Sequence, residues 1–116
     1  MFDVVTELID KINIFLLLNK RNEWIYFEFG KIYVRKSKRL YEGDFIDCFD
    51  FSSIEIDKEY RGNGFFKMFL ANFIEHFPKT NIYVETILNE KLYKYLINQG
   101  FEPVGDRINN NLILKR

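Results

Sequence analysis

The feature that most constrains this chain is the segment at residues 54–78, IEIDKEYRGNGFFKMFLANFIEHFP. Ile54 and Ile56 alternate as in a half-buried strand, and after a loop with two glycines the apolar side chains recur at helical spacing. A second apolar strand follows at residues 81–87, NIYVETI. A strand, a helix and a second strand in this order predict two parallel neighbouring strands joined by a right-handed crossover.

The remaining elements follow from the same periodicities. The pattern predicts helices over residues 3–18, 64–77 and 89–100, and strands over 24–29, 31–41 and 44–57, with two last short strands in FEPVG and NNLILKR. Asn89 is a good N-cap for the last helix, and Gly100 suits its C-terminal end. The prediction is one α+β domain over residues 1–116, with an N-terminal antiparallel meander, a central parallel strand pair and three helices.

The overall charge argues against a default attraction to polyanions. The chain has 17 basic and 17 acidic side chains, so neither nucleic acid nor an anionic membrane is an expected partner. Local charge is uneven, because residues 31–39, KIYVRKSKR, contain five positive side chains and residues 42–59 contain seven acids against one lysine. We therefore expect a basic surface beside an acidic one.

Two further features concern the compartment. Cys48 is the only cysteine, so an internal disulfide is excluded. The apolar run INIFLLL is too short to cross a bilayer, which needs about 20 residues. We expect a cytoplasmic protein with no membrane segment and no metal; a homodimer is compatible with the sequence.

The glycines lie immediately before a helix. A helix N-terminus has unpaired N–H groups and about half a positive charge, and glycines there let phosphates approach the main chain. The loop from Arg61 to Gly64 is therefore a candidate diphosphate site. An Asn-Gly turn with no ligand is the alternative on these residues alone. The loop lacks the Gly-Lys-Ser/Thr ending of nucleoside triphosphate sites and the three spaced glycines of dinucleotide sites.

The stretch IEIDKEYRGNGFF resembles the acyl-CoA-binding motif of the GNAT acetyltransferase superfamily, and NEKLYKYLINQGF resembles its downstream helix. The resemblance covers residues 46–116; the first 45 residues match only in the order of a helix and a meander. It implies a GNAT-like mixed sheet whose parallel strands splay apart. It also implies an N-acyltransferase that uses acetyl-CoA and acts on an amine, either of a small molecule or of a protein.

The resemblance also assigns roles to individual positions. Ile54 and Ile56 would offer main-chain groups to the pantetheine arm, and Asn89 would contact its amide region. Leu96 stands where the family often has a tyrosine beside the sulfur, which removes the usual proton donor. The main-chain amides that would bind the pyrophosphate belong to Arg61, Gly62, Asn63, Gly64, Phe65 and Phe66. Phe66 also departs from the family pattern, which usually has glycine or alanine there.

Transfer to an amine needs a group that takes the amine's proton. Asp50, six residues before Ile56, is the first candidate base, and Glu85 on the partner strand is the second. In a regular strand Asp50 lies on the face of Ile56 and Glu55 on the opposite face, although a bulge would exchange the faces. Tyr93 is the candidate acid in place of the missing tyrosine. The carboxylates suggest a cationic amine as acceptor. The alternative role for the carboxylates is a solvated acidic face, and the alternative role for Tyr93 is packing.

Three functions from different classes stay open on the sequence. The first is an acetyl-CoA-dependent N-acyltransferase. The second is a GNAT-fold protein that binds CoA or a macromolecular partner and has lost catalysis, as Phe66 and Leu96 would allow. The third is a binding protein that uses the basic hairpin at residues 31–39, where positive charges on an edge strand can also serve only to prevent aggregation.

Overall fold

The structure is a computed structural model that describes residues 1–105 and 109–116. Its helices are α1 (Phe2–Leu17), α2 (Phe65–His76) and α3 (Glu90–Asn98), with a short 3-10 helix at Lys58–Tyr60. Its strands are β1 (Asn22–Phe27), β2 (Gly30–Tyr41), β3 (Asp44–Ile56), β4 (Asn81–Val84), β5 (Glu102–Val104) and β6 (Asn111–Leu114). The predicted helices and strands are all present. β4 is shorter than predicted because the chain leaves the extended conformation at Thr86, whose φ is 52°.

The six strands form one sheet in the order β1-β2-β3-β4-β6-β5. The first three make the predicted antiparallel meander. β3 and β4 are parallel, with Cys48 opposite Asn81 at one end and Phe51 opposite Val84 at the other. β6 is antiparallel to both β4 and β5. The predicted α+β class, the parallel pair and the three helices are confirmed.

β3 and β4 separate after Phe51 and Val84. The last main-chain bond between them runs from the Glu85 N–H to the Phe51 carbonyl oxygen, at 3.0 Å. β3 continues along β2 as far as Ile56, whereas the chain after β4 turns toward β6, where the Thr86 N–H donates to Asn111 Oδ1 at 2.8 Å. The two strands therefore splay apart, as predicted.

The helices cover one face of the sheet. Phe49 of β3 lies 6.1 Å from Phe15 of α1 and 5.2 Å from Phe73 of α2, measured between ring centroids. Leu96 of α3 belongs to the same core. The opposite face of the sheet carries a separate small cluster of Cys48, Tyr83 and Ile113. One face of β3 therefore packs against the helices, and the other face belongs to the small cluster.

A β-bulge at Ser52 changes which face of β3 meets the helices. Phe51 pairs with Val34 and Ser53 pairs with Tyr33, so that Ser52 has no partner in the register. Before the bulge, Phe49 and Phe51 pack in the helix-covered core; after it, Ile54 and Ile56 do. Asp50 is therefore on the opposite face from Ile54 and Ile56, and the regular alternation considered from the sequence does not hold.

The predicted separation into a basic and an acidic surface is wrong. Antiparallel pairing places the positive side chains of β2 beside the acids of β3, and the two sets form ion pairs across the ladder. Lys31 lies 3.2 Å from Glu55 and Lys38 lies 2.8 Å from Asp47. Arg39 also pairs with Asp50, although its partner in the register is Ile46. The charge runs were visible in the sequence, but their register was not.

Candidate active site

Two adjoining cavities lie at the splayed end of β3 and β4. The first, the splay cavity, has a volume of about 170 Å³ and an apolar wall formed mainly by Phe51, Ile54, Val84 and Leu88. The second, the loop cavity, has a volume of about 540 Å³ and surrounds the glycine loop. The two share the lining residues Phe66, Asn89 and Leu92, so they form one continuous depression.

The predicted cofactor residues converge on this depression. Ile54 lines the splay cavity. Ile56 and the whole run from Arg61 to Phe66 line the loop cavity. Asn89 lines both. Leu96 is the exception, because it lines neither cavity and is fully buried in the core.

The glycine loop presents an open main-chain surface. Gly62 and Gly64 have φ angles of 77° and 76°, in the left-handed region that side chains disfavour. A Cβ atom built on either residue would meet nothing within 4 Å. The space that a side chain would fill is therefore open to a ligand. Gly64 is also the N-cap of α2, so the opening lies at the start of that helix.

The N-terminus of α2 retains main-chain donors. The first helical bond runs from the Met68 N–H to the Gly64 carbonyl oxygen, at 3.1 Å. The N–H groups of Phe66 and Lys67 therefore precede the helical ladder and carry the positive end of the helix dipole. The Phe65 N–H is already used, because it donates to Asn63 Oδ1 at 3.0 Å. Of the predicted amides, Phe65 is thus the one least able to serve a ligand.

The loop is fixed by contacts with the turn between β1 and β2. The Asp57 N–H donates to the Phe29 carbonyl oxygen at 2.8 Å, and the Tyr60 ring stacks on Phe29 at 4.3 Å between centroids. A Cβ on Gly30 would overlap the main-chain oxygen of Glu55, so glycine is required where this turn meets β3. These contacts set the position of the loop before any ligand binds.

Among the residues that the structure describes, three cations border the loop cavity: Arg61, Lys67 and Lys91. Arg61 is oriented by a bond from its Nε to the Ile56 carbonyl oxygen, at 2.7 Å. Lys67 and Lys91 lie in the first turns of α2 and α3, where the helix dipole disfavours positive charge. The sequence reasoning missed both lysines, although their place just after a helix start was a readable sign of an anionic ligand. Together the three suit a diphosphate.

Asn89 has a structural role as well as a place in the depression. Its Oδ1 accepts a hydrogen bond from the Leu92 N–H at 2.9 Å, which confirms the predicted N-cap of α3. Tyr93, one turn further on, lines a neighbouring cavity of about 430 Å³ together with Ile87 and Leu88. The Tyr93 side chain is therefore outside both the splay cavity and the loop cavity.

Glu85 is the candidate base that reaches the splay cavity. It follows β4 directly and is among the lining residues. Its Oε2 accepts a hydrogen bond from Ser52 Oγ at 2.8 Å and pairs with Arg35, while Arg39 is 3.5 Å away. About a fifth of the side chain is exposed, at 22%. Sequence reasoning did not identify Ser52, because its contribution depends on the bulge.

Asp50 has a different environment. Its side chain is fully buried, accepts a hydrogen bond from Ser37 Oγ at 2.8 Å, and pairs with Arg39. Burial raises the pKa of Asp50, while the hydrogen bonds from Arg39 and Ser37 act in the opposite direction. Asp50 does not line the splay cavity among the residues described. Its geometry is that of a buried ion pair, and of the two carboxylates only Glu85 borders the cavity.

Two absences apply to the described ranges 1–105 and 109–116. Within them, no group of three or more histidine, cysteine, aspartate or glutamate side chains could hold a metal ion. No helix in these ranges combines the length and apolar character needed to cross a membrane.

Comparisons with known proteins identify the fold. No family model matches the chain, and no curated protein matches it. Solved structures do match. The toxin AtaT, bound to the C-terminus of the antitoxin AtaR and acetyl-CoA, is 19% identical with a TM-score of 0.52, and the match covers 74% of this chain and 57% of that one. The KacTA–DNA complex is 22% identical with a TM-score of 0.52 and the same coverage.

A third structure, AtaT complexed with acetyl-methionyl-tRNAfMet, is 18% identical with a TM-score of 0.52, and the match covers 75% of this chain and 62% of that one. The chain therefore spans about three fifths of the length of the chains that it matches in these structures. At such identities the likeness establishes a shared fold. It confirms the arrangement of sheet and helices that the sequence predicted.

Proposed function

We propose that this chain, which has the GNAT fold, is an acetyl-CoA-dependent N-acyltransferase that acts on a primary amine. One observation carries the proposal: an open glycine loop bordered by cations continues into a narrow apolar gap between two splayed strands, and Glu85 lies on the wall of that gap. The loop suits a diphosphate, the gap suits a thin acyl-bearing arm, and the carboxylate suits proton transfer.

Each of the two cavities would bind one part of acetyl-CoA. The diphosphate would lie against Gly62 and Gly64, where the main chain is open, within reach of Arg61, Lys67 and Lys91. The arm would follow β3 past Ile56 and Ile54. After Phe51, no strand of the described chain pairs with β3 on its β4 side. An extended ligand can add to such an edge through main-chain hydrogen bonds.

Acetyl-CoA supplies the acyl group as a thioester. An attacking amine must be neutral, and the Glu85 carboxylate can accept the proton that the amine gives up. Ser52 and Arg35 hold that carboxylate at the wall of the splay cavity. With Leu96 buried in the core, a thiolate would leave without a phenol at that position, which a thiol pKa of about 8.5 permits.

The second candidate is a GNAT-fold protein that binds CoA without catalysis. Two observations favour it. Leu96 is a core residue, and Tyr93 lines a different cavity from the splay cavity, so within the described residues no tyrosine borders the splay cavity. Both candidates share the binding site, and they differ only in turnover.

The acceptor is proposed only as a primary amine. The expectation of a cationic acceptor loses its basis, because Arg35 and Arg39 neutralise Glu85 and Asp50. The expectation against nucleic acid also loses support, because a structure with this fold holds acetyl-methionyl-tRNAfMet. An aminoacyl-tRNA is thus the first macromolecular acceptor to test, beside small amines and protein lysines. A cytoplasmic location and a homodimer stay predictions.

The proposal is tested first by thermal unfolding and then by thiol release. Acetyl-CoA at about 100 times its Kd should stabilise the protein by about 2.7 kcal/mol and raise Tm. Acetyl-pantetheine, which lacks the diphosphate, is the matched control and should raise Tm much less. Thiol release measured with small amines, a lysine-containing peptide and an aminoacyl-tRNA then separates the two candidates. No Tm shift would contradict both, and a shift without thiol release for any amine would favour the second.

A further inference from the structure

The described part of the chain also contains a cleft of about 930 Å³ that the proposed function does not use. It lies between the loop after α1, the middle of β2, the start of β3 and the loop before β4. Its charged lining is strongly unbalanced, with five basic side chains and one acidic one: Lys20, Arg21, Lys36, Lys38, Lys79 and Asp47. We call it the basic cleft.

The basic cleft is at the opposite end of the sheet from the splay cavity. β3 and β4 run parallel from the pair Cys48 and Asn81 to the pair Phe51 and Val84. Cys48 and Asn81 line the basic cleft, whereas Phe51 and Val84 line the splay cavity. The two cavities have no lining residue in common, so a ligand in the cleft leaves the glycine loop accessible.

The positive charge in the cleft is only partly paired. Lys20 lies 2.9 Å from Glu23, and the lysine side chain is 54% exposed. Arg21 and Lys79 have no carboxylate within 4.0 Å among the residues that the structure describes. Lys38 pairs with Asp47 at 2.8 Å, but both side chains are largely exposed, and such pairs contribute little. Lys36 is held at the wall, where its Nζ donates to the Leu18 carbonyl oxygen at 2.7 Å. The concavity is positive although the chain is neutral overall.

The lining favours phosphate over a protein surface. Protein interfaces depend on apolar or aromatic anchors at their centre. Cys48 and Phe49, the apolar residues of this lining, are only 6% and 2% exposed, so they offer none. Phosphate groups are bound by lysine and arginine with help from short polar side chains. Asn19 and Thr80 supply such groups beside the cations.

We propose that the basic cleft binds the phosphate backbone of a nucleic acid without reading its sequence. The inference rests on the cleft alone and not on acetyl-CoA binding. If all five cations contact phosphates of a single strand, log K should fall against log salt with a slope of about −3.5, which is about −0.7 for each contact.

The experiment measures fluorescence anisotropy of a labelled oligouridine RNA of about 12 nucleotides, within the length that single-strand sites cover. Arg21→Glu with Lys79→Glu should weaken binding by about tenfold or more and reduce the salt slope by about 1.4, the share of two contacts. The matched control, Lys58→Glu with Lys94→Glu, makes the same change in net charge at two exposed lysines that do not line the cleft, and it should bind as the parent does. Circular dichroism checks that both variants are folded.

Three results would overturn the inference. The first is an RNA affinity that falls equally in both double variants, or that does not fall in the cleft variant. The second is a polyglutamate peptide of similar length that binds more tightly than the RNA and responds to the cleft variant, which would assign the cleft to an acidic protein. The third is displacement of the RNA by acetyl-CoA, which would place the RNA in the loop cavity. Failure of acetyl-CoA binding alone would contradict only the proposed function.

Discussion

Ser52 Oγ donates a hydrogen bond of 2.8 Å to Oε2 of Glu85, which joins the bulged residue of β3 to the first residue after β4. The bulge has two consequences at once. It brings Ile54 and Ile56 to the helix-covered side of the sheet, and it leaves Ser52 free of the β2 register. The carboxylate of Glu85 is thereby fixed where the two parallel strands begin to separate.

Replacement of Glu85 by glutamine should slow the chemical step. Glutamine keeps the size of the side chain and can still meet Ser52, but it cannot take a proton from the amine. We expect kcat to fall by about 100- to 10,000-fold near neutral pH, with little change in acetyl-CoA affinity. Steady-state thiol release and calorimetry measure the two quantities. An unchanged kcat would remove Glu85 from the mechanism and leave the proton to water or to the substrate itself.

Asp50→Asn should affect stability more than rate. The change removes the charge that Arg39 faces at a fully buried site, and hydrogen bonds to charged groups contribute about 1.5–3 kcal/mol. Because Arg39 is partly exposed, we expect the free energy of unfolding to fall by about 2 kcal/mol, as measured in urea. If Asp50→Asn instead lowers kcat as much as Glu85→Gln at unchanged stability, the base is Asp50.

Gly64→Glu should abolish the Tm increase that acetyl-CoA causes, because a side chain and a negative charge would enter the open surface of the loop. Gly43→Glu is the matched control. Gly43 has a φ of 89° in the β2–β3 turn and also faces open space, so both variants carry the same charge change and similar strain, about 1 kcal/mol. Equal responses of the two variants to acetyl-CoA would contradict the assignment of the loop.

Asn89→Ala should cost about 1 kcal/mol of stability through loss of the N-cap bond to the Leu92 N–H. Asn89→Asp keeps an acceptor oxygen at the cap and should retain stability. It also places a negative charge where the two cavities meet, so it should weaken acetyl-CoA binding. Urea unfolding and calorimetry of the two variants separate the roles. A stable Asn89→Ala would show that the cap bond contributes nothing measurable.

Alkylation of Cys48 by iodoacetamide should be slow in the folded protein. Burial, and then the charge of Asp50, raises the pKa of the thiol to about 11. At pH 8 about one thiol in a thousand is ionised, so the rate should be at least about 100-fold below that of the urea-unfolded chain. Because the folded pKa is the higher one, this thiol's contribution to stability is present below about pH 8.5 and is lost as pH rises through 11. Equal rates would contradict the burial.

The local elements could be predicted from the sequence because their causes are local. Helical periodicity gave α1 and α2, and Asn89 and Gly100 marked the ends of α3 within one turn of chain. The two glycines before α2 indicated the open loop for the same reason, since left-handed φ angles and a helix N-terminus are set by neighbouring residues. The order of strand, helix and strand was enough to predict the parallel pair.

The tertiary structure decided what depends on register and on distant contacts. A bulge at Ser52 reflects how β3 fits β2, and it separates Asp50 from Ile54 and Ile56. Cross-strand ion pairs, such as Lys31 with Glu55, join members of the two charge runs, which a linear sequence shows only as separate blocks. Leu96 is buried because its helix packs on the sheet. The cations of the basic cleft, from Lys20 to Lys79, come close to one another only in the folded chain. Side chains far apart in the chain interact through a register that no local pattern specifies.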